Sequence, residues 1–262
     1  MNNFNSKINF KVLIIVFLAL LILFGGVLKF LSRKSHSENE FHIRGNFINY
    51  SFLNQTNNKI ISKIPFYAVE FNFYKQDSVL INFGFENAKY RIEQDHGKIF
   101  IRNAFNNKDL QILLADSSFL VLIDSSYTKI KESSVFKKIE NDRNNNFVFS
   151  SALNKELVSG NYSLKIDSKN AETKVTFLED GRIIGLNNFT NYELCFAGDC
   201  TCEVTDDINL ISFFTASDSM FYFGFKKEWD KVEFYNLSPA IKYIKGERRI
   251  TNLAFTLYKS KL

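Results

Sequence analysis

The chain has 262 residues, a net charge of +5, and 29 phenylalanines against two prolines. Residues 1–40 hold five lysines and arginines against two glutamates, which leaves a net charge of only +2 for the rest of the chain. A nucleic-acid-binding protein needs a clustered basic face, so this distribution argues against that class of function. The length allows one large domain or two small ones.

The first predicted element is an uncharged apolar run from Val12 to Leu28. As a helix it would be roughly 25 Å long, close to the thickness of the hydrocarbon core of a bilayer. We therefore predict a cytoplasmic tail over residues 1–11, a transmembrane signal anchor over 12–31 and a polar spacer over 32–40. A cleaved signal peptide and a buried helix remain alternatives. The short tail favours a single-pass protein of the cell membrane with an extracytoplasmic C-terminal body.

After residue 40, apolar and polar residues alternate in many short segments. Period-two alternation is typical of half-buried antiparallel strands. The predicted strands are 69–73, 79–85, 98–102, 111–115, 119–123, 163–166, 174–177, 208–214, 220–225, 231–235 and 253–259. We expect no helix of useful length in this part of the chain. The segment 128–142 is either partly helical or the closing strand of a first domain.

The run Glu179-Asp180-Gly181 lies between two of these apolar segments. Two adjacent carboxylates allow either an acid/base pair or a hairpin turn. Asp-Gly is a strong hairpin signal, because both residues tolerate a positive φ. We therefore predict a turn at Asp180 and Gly181. The two carboxylates would then be exposed, without the desolvation that a general acid needs.

All three cysteines lie within CFAGDCTC at 195–202. A turn at Gly198 would bring Cys195 and Cys200 within bridging distance, and Cys202 would lie on the same face as Cys200. We predict a disulfide among Cys195, Cys200 and Cys202. Free buried thiols and a metal or redox site remain open, although C-x4-C-x-C matches no common zinc spacing.

A loose internal repeat divides the chain into two halves. The matched segments are 44–49 with 159–164, Tyr90 with Tyr192, and 109–112 with 207–210. The repeat predicts two tandem β domains, over residues 41–146 and 147–262, with the asparagine run 144–146 at the boundary.

The motifs GNYSL (160–164), VTFLEDGRIIGLNNFTNYEL (175–194) and LAFTLYK (253–259) resemble the lipocalin-like (calycin) pattern. They are also similar to META-type bacterial envelope β domains. The second half resembles these families more closely than the first, and Phe47 and Tyr162 replace the tryptophan of the family's first strand. The resemblance implies up-and-down antiparallel barrels, often with an apolar ligand inside and usually without catalysis. The expected fold class is therefore mainly β, with two tandem antiparallel up-and-down barrel-like domains after an N-terminal transmembrane helix.

The sequence contains none of the common nucleotide-binding, zinc-protease or serine-hydrolase signatures. We expect no enzyme, no catalytic residue, no cofactor and no metal, and ligand-binding residues stay unassigned. The expected function is a membrane-anchored, exported interaction or structural module of the cell envelope. Its expected partners are the membrane, through residues 12–31, and an envelope protein, with no nucleic acid.

The alternative function is a carrier of a small apolar or lipid-like ligand in a barrel cavity. About eight strands close a barrel whose interior either fills with side chains or holds one small ligand. The many phenylalanines favour a filled interior. A hydrolase is a third hypothesis, and it needs an inward-facing cluster of Asp, Glu, His or Ser.

Overall fold

The computed structural model describes residues 43–123, 134–140, 148–165, 172–197, 206–239 and 248–260. The predicted tail, signal anchor and spacer all lie outside these residues, as does the predicted boundary at 144–146. Within the described part of the chain, no helix is both long and apolar enough to span a membrane. These described residues belong to one compact unit.

The first eight strands form a closed antiparallel barrel. Each strand pairs with its neighbours in the chain, and β8 pairs with β1. The strands are β1 (Gly45–Asn49), β2 (Glu70–Lys75), β3 (Ser78–Asn82), β4 (Asn87–Asp95), β5 (Lys98–Phe105), β6 (Lys108–Leu114), β7 (Phe119–Leu122) and β8 (Val135–Ile139). Helix α1 (Tyr50–Gln55) and a 3-10 helix (Ile61–Lys63) lie between β1 and β2.

The next eight strands form a second antiparallel sheet, which is preceded by helix α2 (Phe149–Leu157). The strands are β9 (Gly160–Lys165), β10 (Glu172–Phe177), β11 (Ile183–Ile184), β12 (Phe189–Cys195), β13 (Asn209–Thr215), β14 (Met220–Lys227), β15 (Lys231–Leu237) and β16 (Ile250–Lys259). Strand β16 returns to pair with β9. The terminal strands β11 and β12 form no ladder with each other. They meet through an isolated bridge between Arg182 and Asn191.

The prediction of a mainly β protein with two tandem barrel-like antiparallel sheets is confirmed. Strand β8 supports the closing-strand alternative for 128–142. The expectation of no helix of useful length after residue 40 is wrong, because α2 packs in the core. Helix α2 has only nine residues, and its buried stripe consists of Phe149, Leu153 and Leu157, spaced four residues apart. Such a short stripe is hard to distinguish from strand alternation in a phenylalanine-rich chain.

Part of the predicted repeat follows the strand order. Segments 44–49 and 159–164 contain the first strands of the two sheets, and Tyr90 and Tyr192 lie on the fourth strand of each. The last match is wrong, because 109–112 lies on the sixth strand of the first barrel while 207–210 reaches the fifth strand of the second sheet. Alternating strands look alike in sequence, so such a match can slip by one strand.

Phenylalanine rings fill the interiors of both barrels. In the first barrel, the ring centroids of Phe71 and Phe136 are 4.6 Å apart. In the second, Phe213 lies 5.9 Å from Phe177 and 5.4 Å from Phe234. All five side chains are at most 1% exposed. Packed rings of this kind are typical of a close-packed hydrophobic interior.

A hydrophobic cluster links residues of β1, α1 and the chain before β2 to the core of the second barrel. Phe52 of the first barrel contacts Phe149 of α2 at 5.5 Å and Phe196, just beyond β12, at 6.0 Å between ring centroids. Phe196 also lies 6.3 Å from Phe66. These rings fix α2 and the end of β12 against the first barrel.

Candidate functional site

A surface groove of about 810 Å³ lies where the two barrels meet. One wall is β12 with the chain up to Ala197, a second is α2, and a third is the loop at Gly84 and Phe85. The outer faces of β13 and β14 contribute Ser212, Phe214, Met220 and Tyr222. The predicted site residues Asp180, Gly181 and Cys195 all line this groove, so the fold brings together segments that no sequence pattern had linked.

The connection between β10 and β11 forms one end of the groove. The N–H of Gly181 donates to the carbonyl of Leu178 at 3.1 Å, and the N–H of Leu178 donates to the carbonyl of Arg182 at 2.9 Å. Gly181 has a φ of 89°, whereas Asp180 has a negative φ. This is a three-residue hairpin loop with glycine at the left-handed position, rather than a two-residue turn.

Glu179 and Asp180 are both exposed, and each pairs with a different cation. The Glu179 carboxylate lies 3.0 Å from the Lys155 ammonium, and the Asp180 carboxylate lies 2.8 Å from the Arg182 guanidinium. Surface ion pairs of this kind contribute little to stability. The two carboxylates therefore do not face each other as an acid/base pair.

Gly181 also contributes to the short contact between the chain at β11 and strand β12, which we call the seam. The N–H of Tyr192 donates to the carbonyl of Gly181 at 2.7 Å, beside the Arg182–Asn191 bridge. The Tyr192 hydroxyl donates to the carbonyl of Leu178 at 2.8 Å. Burial raises the pKa of Tyr192 to about 12, so its hydroxyl remains a donor at neutral pH. These contacts fix the hairpin loop against β12.

Helix α2 is positioned from both barrels. The Asn154 side-chain amide donates to the carbonyl of Glu179 at 3.0 Å, which ties the helix to the hairpin loop. The Tyr162 hydroxyl donates to the carbonyl of Val158, just after the helix, at 2.6 Å. Burial raises the pKa of Tyr162 to about 12.

The N-terminus of α2 is bound by Glu70 of the first barrel. One Glu70 carboxylate oxygen, Oε2, accepts hydrogen bonds from the N–H groups of Val148 at 2.7 Å and Phe149 at 2.9 Å. Glu70 is fully buried, and its Oε1 has no hydrogen-bond partner among the described residues. Burial raises the pKa of Glu70 to about 7, although the two N–H donors act in the opposite direction.

The sequence patterns did not single out Glu70. Its neighbours Val69 and Phe71 belong to an apolar run, and both point into the barrel core. The signal that could have identified Glu70 is a carboxylate placed within an apolar run. A buried acid of this kind needs hydrogen-bond donors from another element of the fold.

β12 has a free edge within the groove. The Tyr192 N–H points toward β11, so the N–H and C=O of Leu194, two residues on, point to the same side. No described strand pairs with β12 on that side beyond Tyr192. The edge therefore presents unpaired backbone groups to the groove.

The described residues that line the groove carry only negative formal charges. They include Asp180, Glu193 and Asp218, and none of them is a lysine, arginine or histidine. Arg182 neutralises Asp180 from outside the lining. Phe85 projects at the rim and is 56% exposed.

Cys195 lies half-buried at the end of β12, against Ile208 and Leu210. It is not a free thiol. Cys200 and Cys202 lie outside the described residues, so the pairing of the three cysteines stays a prediction. Within the ranges that the structure describes, no group of three His, Cys, Asp or Glu side chains could hold a metal ion.

No family model matches this chain, and no curated protein or solved structure matches it either.

Proposed function

We propose that this chain is a non-enzymatic interaction module of the cell envelope, anchored by residues 12–31 and exposing two lipocalin-like barrels outside the cytoplasm. The partner docks in the groove between the barrels. The observation that carries the proposal is the combination of filled barrel interiors with an open groove that contains a free strand edge.

The alternative function, a carrier of an apolar ligand, has less support. A carrier needs an interior cavity, and drug-sized ligands occupy pockets of roughly 300–1,000 Å³. The described interiors hold close-packed rings, with Phe177, Phe213 and Phe234 at their centre in the second barrel. The groove has the required size, but it is open to solvent and its lining is partly polar.

A polypeptide partner fits the groove better than a small molecule does. A free strand edge offers main-chain hydrogen bonds to an extended segment, while pockets beside it accept alternate side chains. Phe85 at the rim supplies an exposed aromatic surface of the kind found in interface anchors.

A peptide selection tests this proposal on the full chain purified in mild detergent. A phage-displayed random peptide library is selected on the wild type, and the selected peptides are measured on Phe85→Asp. Phe221→Asp is the matched control, because Phe221 is similarly exposed, at 47%, and does not line the groove. We expect Phe85→Asp to weaken binding at least about tenfold and the control to leave it unchanged.

Peptides that bind both variants equally well would contradict docking in the groove. The carrier alternative is tested on the same preparation by native mass spectrometry and an apolar fluorescent probe. A stoichiometric co-purifying lipid, or saturable uptake of the probe, would favour the carrier over the module.

The membrane part of the proposal has a separate test. The full chain should remain with the membrane fraction after a high-salt wash, and external protease should cleave its C-terminal body in intact cells or spheroplasts. Recovery of the full chain from the soluble cytosol would contradict it.

A further inference from the structure

The exposed edge of β12 is unusual because it lies inside a groove. Edge strands are normally shortened, charged or covered, because unpaired backbone groups invite pairing with another chain. Here β11 consists of only Ile183 and Ile184, and the seam ends at the contact between Gly181 and Tyr192. From Glu193 onward, no described strand pairs with this edge of β12. The groove beside it is bounded by α2 and Phe85, and it ends where the Gly84 loop packs against Phe196 and Ala197.

We propose that this groove binds an extended polypeptide segment rich in lysine or arginine, which pairs with the free edge of β12 as an added strand. The inference rests on the proposed function and names the chemistry of the partner. An added strand would lie about 4.8 Å from β12 and continue the sheet where β11 stops.

The backbone argument depends on Leu194. Leu194 is only 8% exposed and packs in the hydrophobic core, so it is well ordered, while its N–H and C=O point away from β13 on the side of the groove. One residue of an added antiparallel strand exchanges two hydrogen bonds with such a residue. Each bond contributes modestly, but the edge is already ordered, so little conformational entropy is lost on the protein side.

The charge argument depends on Glu193 and Asp218. Both line the groove, and no cationic residue lines it with them in the described part of the chain. Electrostatic complementarity of this kind selects a cationic partner and speeds its association. The exposed ring of Phe85 faces the same space and can contact either an apolar side chain or a cation.

Three capped hexapeptides test the inference on the full chain. The first alternates lysine and valine, the second alternates glutamate and valine, and the third is the lysine peptide with its backbone nitrogens methylated at alternate positions. Binding is measured by calorimetry. Hydrogen exchange of residues 189–197 reports protection of the Leu194 amide.

We expect the lysine peptide to bind, with slower exchange at Leu194, and the glutamate peptide not to bind. Methylation removes the hydrogen bonds that a strand donates, so it should weaken binding at least about tenfold. Equal binding of the methylated peptide, or unchanged exchange at Leu194, would overturn strand addition. Equal binding of the glutamate peptide would overturn the selection of a cationic partner.

Charge-neutralised variants provide the protein-side test. Glu193→Gln with Asp218→Asn should weaken the lysine peptide about fivefold at low salt, and less at high salt. Asparagine is chosen because Asp218 has a φ of 58°, which asparagine tolerates. The matched control is Asp77→Asn with Glu140→Gln, two exposed carboxylates that do not line the groove. An equal loss in both double variants would contradict a local effect.

The two proposals can fail separately. If none of the hexapeptides binds, the inference fails. The proposed function survives that result only if library peptides of another chemistry still bind in a manner sensitive to Phe85→Asp. If no library peptide depends on the groove either, both proposals fail.

Discussion

Glu70 of β2 caps the N-terminus of α2 by accepting hydrogen bonds from the N–H groups of Val148 and Phe149. Helix N-termini have unsatisfied N–H groups, and a carboxylate that accepts from them also interacts favourably with the helix dipole. The cap usually comes from a residue next to the helix, whereas Glu70 lies in the other barrel. The buried Glu70 carboxylate therefore connects the first barrel to α2, and α2 in turn packs on the second barrel.

The first prediction concerns Glu70→Gln. Burial raises the pKa of Glu70 from 4.5 to about 7, so the folded protein binds the proton more tightly than the unfolded chain does. The unfolding free energy of the wild type should therefore fall as the pH rises from about 5 through 7, by about 2 kcal/mol. The substituted amide would keep an acceptor oxygen but carry no charge, so the variant should lack this decline. Urea unfolding at several pH values measures it.

Few other described groups interfere in this window. Three carboxylates whose pKa values are lowered by ion pairs or hydrogen bonds, Asp109, Asp207 and Glu233, are already charged above pH 5. Asp109→Asn is the matched control and should retain the decline. Parallel pH profiles for the wild type and Glu70→Gln would contradict the assignment.

The second prediction compares two glycines with positive φ. A Cβ at Gly181 would lie 2.9 Å from the carbonyl oxygen of Tyr192, whereas a Cβ at Gly97 would meet nothing within 4 Å. Gly97→Ala should therefore show only the left-handed backbone penalty, about 1 kcal/mol. Gly181→Ala should lose at least about 1 kcal/mol more, because it also disturbs the seam between β11 and β12. Equal losses in thermal or urea unfolding would show that the seam contact contributes nothing.

The third prediction concerns the filled interior of the second barrel. Phe234 is fully buried, and its ring lies 4.7 Å from that of Phe255. Phe234→Ala should lower the unfolding free energy by about 3–5 kcal/mol and leave an apolar cavity. The variant, unlike the wild type, should then take up a small apolar probe such as benzene.

Phe221→Ala is the control for that cavity, because Phe221 is 47% exposed. It should lose less than about 1 kcal/mol and bind no probe. Uptake of the probe by the wild type would show instead that the interior is hollow.

The fourth prediction concerns the cysteines. We expect Cys195 to pair with Cys200 or Cys202, so that one cysteine of the three reacts with an alkylating reagent in the denatured, unreduced protein. A loop this short contributes about 2 kcal/mol when it is closed. Peptide mapping without reductant identifies the bonded pair, and reduction should lower the unfolding free energy by that amount. Alkylation of all three cysteines before reduction would contradict the pairing.

Local chemistry made the hairpin at Asp180 and Gly181 predictable, because a positive φ favours glycine wherever the chain reverses. The same is true of most strands, whose alternating side chains reflect one buried face. Alternation did not mark strand β4, where only the repeat placed Tyr90, because only Ile92 of its nine residues is buried. The nine-residue helix α2 was missed for a similar reason, because only three apolar residues mark its buried side.

The mainly β character, the approximate strand positions and the tandem arrangement could all be read from the amino-acid order, because they depend on alternation and on turn residues close together in the chain. Three features needed the folded chain: Glu70 caps α2, Phe196 packs on Phe52, and the edge of β12 is left open beside them. They escape sequence patterns because their partners are far apart along the chain. Glu70 and Val148 are 78 residues apart, and only the packing of α2 and the second barrel against the first barrel brings them into contact.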